Sequence, residues 1–490
     1  MRYIPWNKNN NKELDMNMKK IALILITLFF TPLSISAQLV SSDDYTLDYQ
    51  RDALKIYKDT IEMRTAAGYG EVKIMAYYLA DRFRDGGFAE EDINILPFTS
   101  PNGEQIASII VRYRGDNSSG KDPILFVAHM DVVDALKKDW IRDPFKLIEE
   151  DGYFFGRGTA DDKSGTTLLT SAFIRLKKEG YTPNRDLIIA FTGDEETEML
   201  TIEDMVVNHR HLINAEFAIN ADSGGGSLDS QYNPISYQVQ AAEKTYADFI
   251  ISTANPGGHS SRPRKTNAIY DLAEALKEIE AYTFPTMSND ITLEYFKLRA
   301  DAEKNELGKA MKEFSENPES EQAAMIISNY PNQIGIIKTT CVATMLDAGH
   351  AENALPQSAN ANINCRLFPG TEVSEVQTKL REIISNPNIK IEISGSPKSA
   401  PASPLREDVM DAIKKTVNAE HGDIPIIPYM TTGATDGRAL RTGGIPTYGS
   451  IAIYSRGEDN FAHGLNERVL VKSFFDALEH WHILIKELSQ

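Results

Sequence analysis

Five segments of the 490-residue chain carry side chains that bind metals and move protons, and three of them follow directly on a short apolar run. His129-Met130-Asp131 follows the run 124–128, Gly193-Asp194-Glu195-Glu196 follows 187–192, and Asp222-Ser223-Gly224-Gly225-Gly226 follows 217–221. Gly156-Arg157-Gly158 precedes Asp161-Asp162, which opens a helical pattern, and His463 lies in a loop beyond the apolar run 451–454. So many carboxylates in one crevice would repel each other and titrate abnormally unless cations held them together. Two imidazoles and several carboxylates are a suitable donor set for one or two zinc ions. Taken singly these signals are weak, since an Asp-Asp before a helix is commonly an N-cap and a Glu-Glu after a strand is commonly solvated. Their shared placement at strand ends carries the reading.

The elements that must position these residues form an α/β fold with a mostly parallel central sheet. From residue 38 to about 233, β-rich runs alternate with helical patterns. Continuous apolar runs suit strands buried on both faces, and in open α/β sheets ligands collect beyond the carboxyl ends of the strands. A helix is predicted over 166–178, ending at Gly180. Around 236–252 polar and apolar residues alternate, the sign of a sheet with one solvated face, so a second domain is predicted to begin at 236. It continues through a helix over 267–281, strands near 333–346 and 359–368, a helix over 373–384 and a strand over 389–393. That order, βαββαβ, is a ferredoxin-like α+β unit. Within it, 284–330 is charged and partly helical, as at 302–314, and reads as an insertion. The α/β pattern resumes at 396 and ends in a helix over 467–488 with Leu470, Phe474, Leu478, Trp481 and Ile485 on one buried stripe. The first domain is therefore 38–235 completed by 396–490, with 236–395 inserted as a lid or dimerisation domain.

Composition narrows the partners. Lys and Arg total 51 against 70 Asp and Glu, a net charge of −19, with no basic block, which argues against nucleic acid or an anionic membrane surface. Lys19-Lys20, an apolar run over 21–30 and small residues up to Ala37 have the layout of a secretory signal, and the run is short for a membrane span. Cleavage there leaves 46 basic and 68 acidic residues, a net charge of −22, in an exported protein, periplasmic or secreted, with no stable membrane insertion. Cys341 and Cys365 are too few for a disulfide framework or a cysteine-rich metal site, and their spacing does not decide whether they are bridged.

Taken together and in order, Ala128-His129-Met130-Asp131-Val132-Val133, Gly156-Arg157-Gly158-Thr159-Ala160-Asp161-Asp162-Lys163, Gly193-Asp194-Glu195-Glu196, Gly258-His259-Ser260-Ser261, Asn353-Ala354-Leu355-Pro356 and His463-Gly464-Leu465-Asn466-Glu467 resemble a known family. It is that of the co-catalytic dizinc metallopeptidases, which includes glutamate carboxypeptidase, carnosinase, aminoacylase and succinyl-diaminopimelate desuccinylase. The resemblance covers nearly the whole chain beyond the leader and implies a zinc-exopeptidase-like catalytic domain. It implies that Asp161 bridges two zinc ions, with His129 and Asp222 completing one and Glu196 and His463 the other; cobalt or manganese can substitute for zinc. Asp131 would orient His129 from behind. Glu195 would be the general base, taking a proton from water and delivering it to the leaving amine. In relatives a histidine at the position of His259 reaches the active site, often across a dimer interface, and stabilises the oxyanion. Thr432-Gly433-Ala434-Thr435-Asp436-Gly437-Arg438 resembles the loop that lines the substrate pocket, making Arg438 a candidate for holding a substrate carboxylate and Asn353 a weaker one. Arg366 is either a substrate contact or a charge at a strand end.

The chain departs from the family pattern at Ala128 and Ser164, where glycine is usual, and at Asp134, where proline is usual; none of these removes a ligand. Asp222 as the last carboxylate leans toward peptide cleavage, since deacylating members often carry Glu there. His209, His211, His350, His421, His480 and His482 lie outside the strand-end set. The expected activity is an exopeptidase of carboxypeptidase type, acting beside a residue with a free carboxylate on a small peptide or N-acyl amino acid. An N-acyl-amino-acid hydrolase or a dipeptidase on the same metals is the rival, and an inactive scaffold would require a lost ligand. A homodimer through the second domain is compatible with this plan unless the insertion blocks it.

Overall fold

Strands Ile124–His129, Leu187–Thr192 and Phe217–Asn220 are buried at every position because both faces of their sheet are covered. Phe126, Ile189 and Ile219 point into one core, packed by helices Asp48–Glu62, Glu71–Asp85, Lys163–Lys178, Glu407–His421 and Val471–Ser489. Leu125, Val127, Ile188 and Ala218 point into the other, closed by helices Leu200–Asn208 and Gly437–Thr442. Alternate residues of one strand thus enter opposite cores, and the period-2 polar signal disappears. The computed structural model describes residues 38–39, 45–459 and 461–490, so the leader predicted over 1–37 lies outside the described residues. Among the described residues no helix is long and apolar enough to cross a membrane.

The three strands are the parallel centre of a ten-stranded mixed sheet. Register places His129 opposite Thr192 and Val127 opposite Asn220, so the segments following all three strands leave from one edge. The segment after residue 396 completes the sheet with Ile426–Thr431, Thr447–Gly449 and Tyr454–Ser455. It also supplies the last helix, which runs over Val471–Ser489 instead of starting at 467, because Arg468–Leu470 pairs as a strand with Tyr153–Phe155. Phe474, Leu478, Trp481 and Ile485 form the buried stripe as read, while Leu470 lies just before the helix.

The second sheet has the order Thr340–Ala348, Ser358–Leu367, Thr245–Ala254, Lys390–Ser394, antiparallel throughout. Helices Ala268–Ala281 and Val373–Ile383 pack on one face through Leu272, Ala275, Val376 and Leu380, which gives the ferredoxin-like unit. Its boundary differs from the expected one. Pro234–Glu243 belongs to the central sheet and pairs with Ile426–Thr431, so the chain crosses between the sheets at Lys244 instead of near 236. The alternating pattern spans both strands without a break, which conceals the crossing. The insertion is also longer than 284–330: Pro331–Ile337 is a helix whose Ile337 enters the insertion's own core of Phe296, Leu307, Met311, Phe314 and Ile327. The strand predicted from 333 therefore begins at Thr340. Cys341 and Cys365 face each other on adjacent strands and form a disulfide.

Close to the crossing a buried carboxylate ties the two catalytic segments together. Glu243 accepts from Arg441 Nη1 at 2.8 Å, Thr435 Oγ1 at 2.6 Å and the Thr435 amide at 3.1 Å, and Arg441 also donates to Ser403 and to the Thr447 carbonyl. Removing one partner of such a buried pair leaves an uncompensated charge, a loss of about 3–5 kcal/mol. We expect Arg441→Met to lower the unfolding free energy by that amount, read from the midpoint and slope of urea unfolding; a change below about 1 kcal/mol, the scale of an exposed pair, would show that the pair is not structural.

Candidate active site

The residues at the carboxyl edge converge as their strand ends require. His129 Nε2 lies 2.9 Å from Asp161 Oδ1 and 3.5 Å from Asp222 Oδ1. His463 Nε2 lies 3.0 Å from the other oxygen of Asp161 and 2.9 Å from Glu196 Oε1. The two oxygens of one carboxylate thus face two different imidazoles, each with a further carboxylate beside it. Glu196 Oε1 is buried and has no hydrogen-bond donor despite the nearby ring nitrogen. Nitrogen and oxygen that approach so closely without hydrogen-bond geometry converge on a shared point, as donors round a cation do. The ligand-type atoms of His129, Asp161 and Glu196 lie within 4.8 Å of one another, as do those of His129, Asp162 and Asp222. Neutral imidazole and carboxylate oxygen are donors that zinc accepts, so the set fits a divalent metal pair.

Main-chain hydrogen bonds fix these side chains. The Asp131 carboxylate accepts from the Glu195 and Glu196 amides at 3.1 and 3.0 Å, and the Asp131 carbonyl lies 3.0 Å from His129 Nδ1. Asp131 thus holds His129 mainly through its carbonyl, with its carboxylate 3.6 Å from the ring, and spends that carboxylate on the Glu195 loop. Asp162 caps helix Lys163–Lys178 through the Gly165 amide and also accepts from the His129 amide at 3.3 Å. A Cβ at residue 165 would stand 2.3 Å from the Asp162 carboxylate, so only glycine permits that cap. Glu467, fully buried, accepts from the Ala160 and Asp161 amides and from Arg157 Nη1 at 2.6 Å, while Arg157 also donates to the His463 carbonyl. Asp436 accepts from Thr192 Oγ1 at 2.5 Å, at the start of the Glu195 loop. Asp162, Glu467, Arg157 and Asp436 had no assigned role in the sequence reading; each stands inside a quoted motif, and that membership was the available signal.

A cleft of about 340 Å³ opens over the cluster, lined by Asp161, Glu195, Glu196, Asp222 and His463 and walled by Met199, Thr431, Ala434 and Thr435. Arg438 does not reach it. The short helix Gly437–Thr442 turns this guanidinium toward helix Leu200–Asn208, where it lies 3.5 Å from Glu203 and 3.6 Å from Met199 Sδ. Arg366 is closer to the wall, donating from the lid sheet to the Thr432 carbonyl at 2.8 Å. His259 and Asn353 are exposed on a two-stranded ribbon of the lid, joined by the Ser260 amide to the Asn353 carbonyl, and neither lines the cleft.

Three comparisons bear on this arrangement. Residues 125–487 match the profile described as Peptidase family M20/M25/M40. The N-fatty-acyl-amino acid synthase/hydrolase PM20D1 of Xenopus tropicalis is 28% identical over 357 residues, 71% of this chain and 69% of its own. The probable carboxypeptidase S-like 2 of Dictyostelium discoideum is 27% identical over 407 residues, 78% of this chain and 75% of its own. Among solved structures, the M20 family metallo-carboxypeptidase Sso-CP2 from Sulfolobus solfataricus superposes with a TM-score of 0.66 at 19% identity, covering 89% of this chain and 99% of that one.

Without metal the cluster holds protons. Burial pushes Asp222 up to about 7 and Glu195 well above the ordinary carboxylate range, with Asp222 adding to the latter. Burial would lower His129, but Asp222, Asp131 and Asp161 reverse this and raise it well above the usual imidazole value. Contact with Asp161 and Glu196 raises His463 to about 10. A metal must displace these protons, so affinity falls as pH drops. We expect zinc uptake at neutral pH to release protons, read by calorimetry in two buffers of different ionisation enthalpy; identical heats in both buffers would contradict it.

Proposed function

The chain belongs to peptidase family M20/M25/M40 and is a hydrolase of amide bonds, and from that premise we propose that it is an exported two-zinc exopeptidase of carboxypeptidase type. The observation that carries the reading is Asp161, whose two oxygens face His129 and His463 separately, with Glu195 on the floor of the same cleft. We assign one ion to His129, Asp161 and Asp222 and the other to Asp161, Glu196 and His463. Zinc bound there supplies positive charge that lowers the pKa of water and stabilises a developing oxyanion.

Glu195 takes the proton from the attacking water and returns it to the leaving amine. Burial keeps its proton affinity high enough for both steps, and the Asp131 bond to its amide fixes its position. Asp131 also positions His129. Ser223, Gln240 and the 431–435 wall bound the space for the residue released, and Arg366 beside Thr432 is the cation best placed for its free carboxylate. His259 acts on the oxyanion when the lid ribbon reaches a cleft, and Asn353, hydrogen-bonded beside it, travels with it. The likeness to a relative named for N-fatty-acyl-amino acids supports N-acyl-amino-acid hydrolysis as the second reading, because it needs the same free carboxylate and the same base. A dipeptidase would differ only in the length of substrate the cleft admits.

Export is supported by the leader pattern and by the Cys341–Cys365 disulfide, since disulfides persist in oxidising compartments. A homodimer is supported by the lid's outer strand Thr340–Ala348. Among the described residues it pairs on one side only, with Ser358–Leu367, and Val342, Met345 and Leu346 are 58%, 71% and 64% exposed, the kind of edge that pairs with another chain. The insertion packs its helix Asp290–Ala300 against Ile426–Thr431, on the catalytic side.

With the mature protein and zinc, we expect release of the last residue from a short peptide with a free C-terminus and none from its amide, read by mass spectrometry. Cleavage from the amino end would replace this reading with an aminopeptidase, and activity confined to N-acyl amino acids would favour the second reading. Glu195→Gln should keep its zinc and lose about 10²–10⁴-fold in kcat; full activity would sink the assignment. Val342→Lys with Met345→Lys should convert a dimer to a monomer in sedimentation, whereas an unchanged mass would place the interface elsewhere.

A further inference from the structure

The cleft holds no lysine or arginine among its lining residues, only carboxylates, one imidazole and small or neutral side chains. Cations gather instead on the lid. Arg262, Arg264 and Lys265 occupy three of four consecutive positions in an exposed loop of a chain whose net charge is −19. Their side chains make no hydrogen bond or ion pair among the described residues, and neither Glu352 nor Asp271, the acidic residues flanking this region, pairs with them. An acidic protein that leaves three adjacent cations unpaired has a local positive potential with nothing of its own to neutralise it.

The loop is coupled to His259. Gly258–His259 pairs with Ala354–Leu355, the Ser260 amide donates to the Asn353 carbonyl, and the Arg262 amide donates to the His259 carbonyl at 2.9 Å. Any movement that carries His259 to a cleft therefore carries Arg262 with it. The ribbon leaves the lid sheet at Ala254, and the ten residues from Thr245 span about 33 Å, so the loop lies at the far end of the lid from the crossing at Lys244. It meets a cleft when the lid closes or when a second copy presents its own.

We propose that Arg262, Arg264 and Lys265 form an anion-selecting element which, delivered with His259, makes the enzyme prefer substrates bearing an acidic side chain beside the scissile bond. This rests on the amide-hydrolase reading above, in which His259 acts at a cleft, and names its substrate class. Each exposed contact is weak in water, but three like charges on one short loop both attract the anion and favour it once bound. Because these charges are exposed, the preference weakens as salt is raised.

The test compares kcat/KM of the zinc-loaded mature protein on peptide pairs that differ only by Glu or Gln, placed on either side of the scissile bond. We expect Glu to be favoured about tenfold at one of the two positions. R262A/R264A/K265A should bring the ratio to about one, and R262E/R264E/K265E should turn the preference toward a Lys peptide, with melting temperature and zinc content confirming that both variants are folded. Turnover by the wild type without Glu preference at either position, or a preference that survives in R262A/R264A/K265A, overturns this inference alone. Absence of turnover on every peptide and N-acyl amino acid overturns the hydrolytic reading itself.

Discussion

The structure is governed by the mutual repulsion of Asp161, Asp162, Glu195, Glu196 and Asp222, brought into one small, largely buried volume. The surrounding protein does little to cancel that charge. Asp131 is itself an anion, and it serves by binding two amides of the Glu195 loop; Glu467 and Asp436 are further buried carboxylates that bind neighbouring main chain or hydroxyl groups. Apart from the two histidines, the buried cation directly engaged at this frame is Arg157, and it is matched by Glu467. The protein therefore supplies rigidity and leaves neutralisation to protons held on Asp222, Glu195 and the two histidines, or to the cations that displace them. Where backbone hydrogen bonds hold each donor in place, the geometry persists even though the charges oppose it.

Division of labour between the domains follows. The parallel strands set the donors in register, and a register slip of one residue in Ile124–His129 would send His129 to the opposite face. The lid contributes no residue to the lining of the metal cleft and joins the catalytic domain through a single crossing residue on this side. Lys244 there donates its amide to the Thr431 carbonyl and its ammonium to the Lys338 carbonyl at the end of the insertion. Arg366 adds its bond to Thr432. The cleft wall at 431–435 is thus the place where the ferredoxin-like unit, the insertion and the catalytic sheet meet.

His129, Glu196 and Asp222 were legible because each closely follows an apolar run, a pattern that marks both the strand and its end, whereas Asp161 and His463 follow no such run closely and were legible through their motifs. The ferredoxin-like order was legible for a similar reason, as alternation survives on a sheet with one polar face carrying Asp248, Asn362 and Asn364. The crossing at Lys244 was not legible, because period 2 is unchanged when a strand leaves one sheet and the next joins another. Nor was the helix Pro331–Ile337, whose short apolar cluster is equally compatible with a strand until the packing against Phe296 and Phe314 is known. Arg438 illustrates the limit of motif reading: its neighbour Asp436 bonds the Glu195 loop, but a half-turn of helix separates the two and sends the guanidinium to Glu203. The tie of Glu467 to Arg157 and to the Asp161 loop spans about 310 positions and has no local signature.

That long-range tie also decides when the site can exist. Asp161 and Glu196 come from the first catalytic segment and His463 from the second, with the whole lid between them in sequence. Closing a loop of that length costs entropy that grows only slowly with its size, so the intervening domain is tolerated provided the ends make enough contact. Helix Val471–Ser489 provides that contact by burying Phe474, Trp481, Leu484 and Ile485 against the first segment's core. Once it docks, Glu467 and His463 are brought to Asp161 together, because only three residues separate them from each other. A bound ion held by Asp161, Glu196 and His463 would then bridge the first and last parts of the chain, so metal affinity and the stability of the completed catalytic domain are two readings of one free energy.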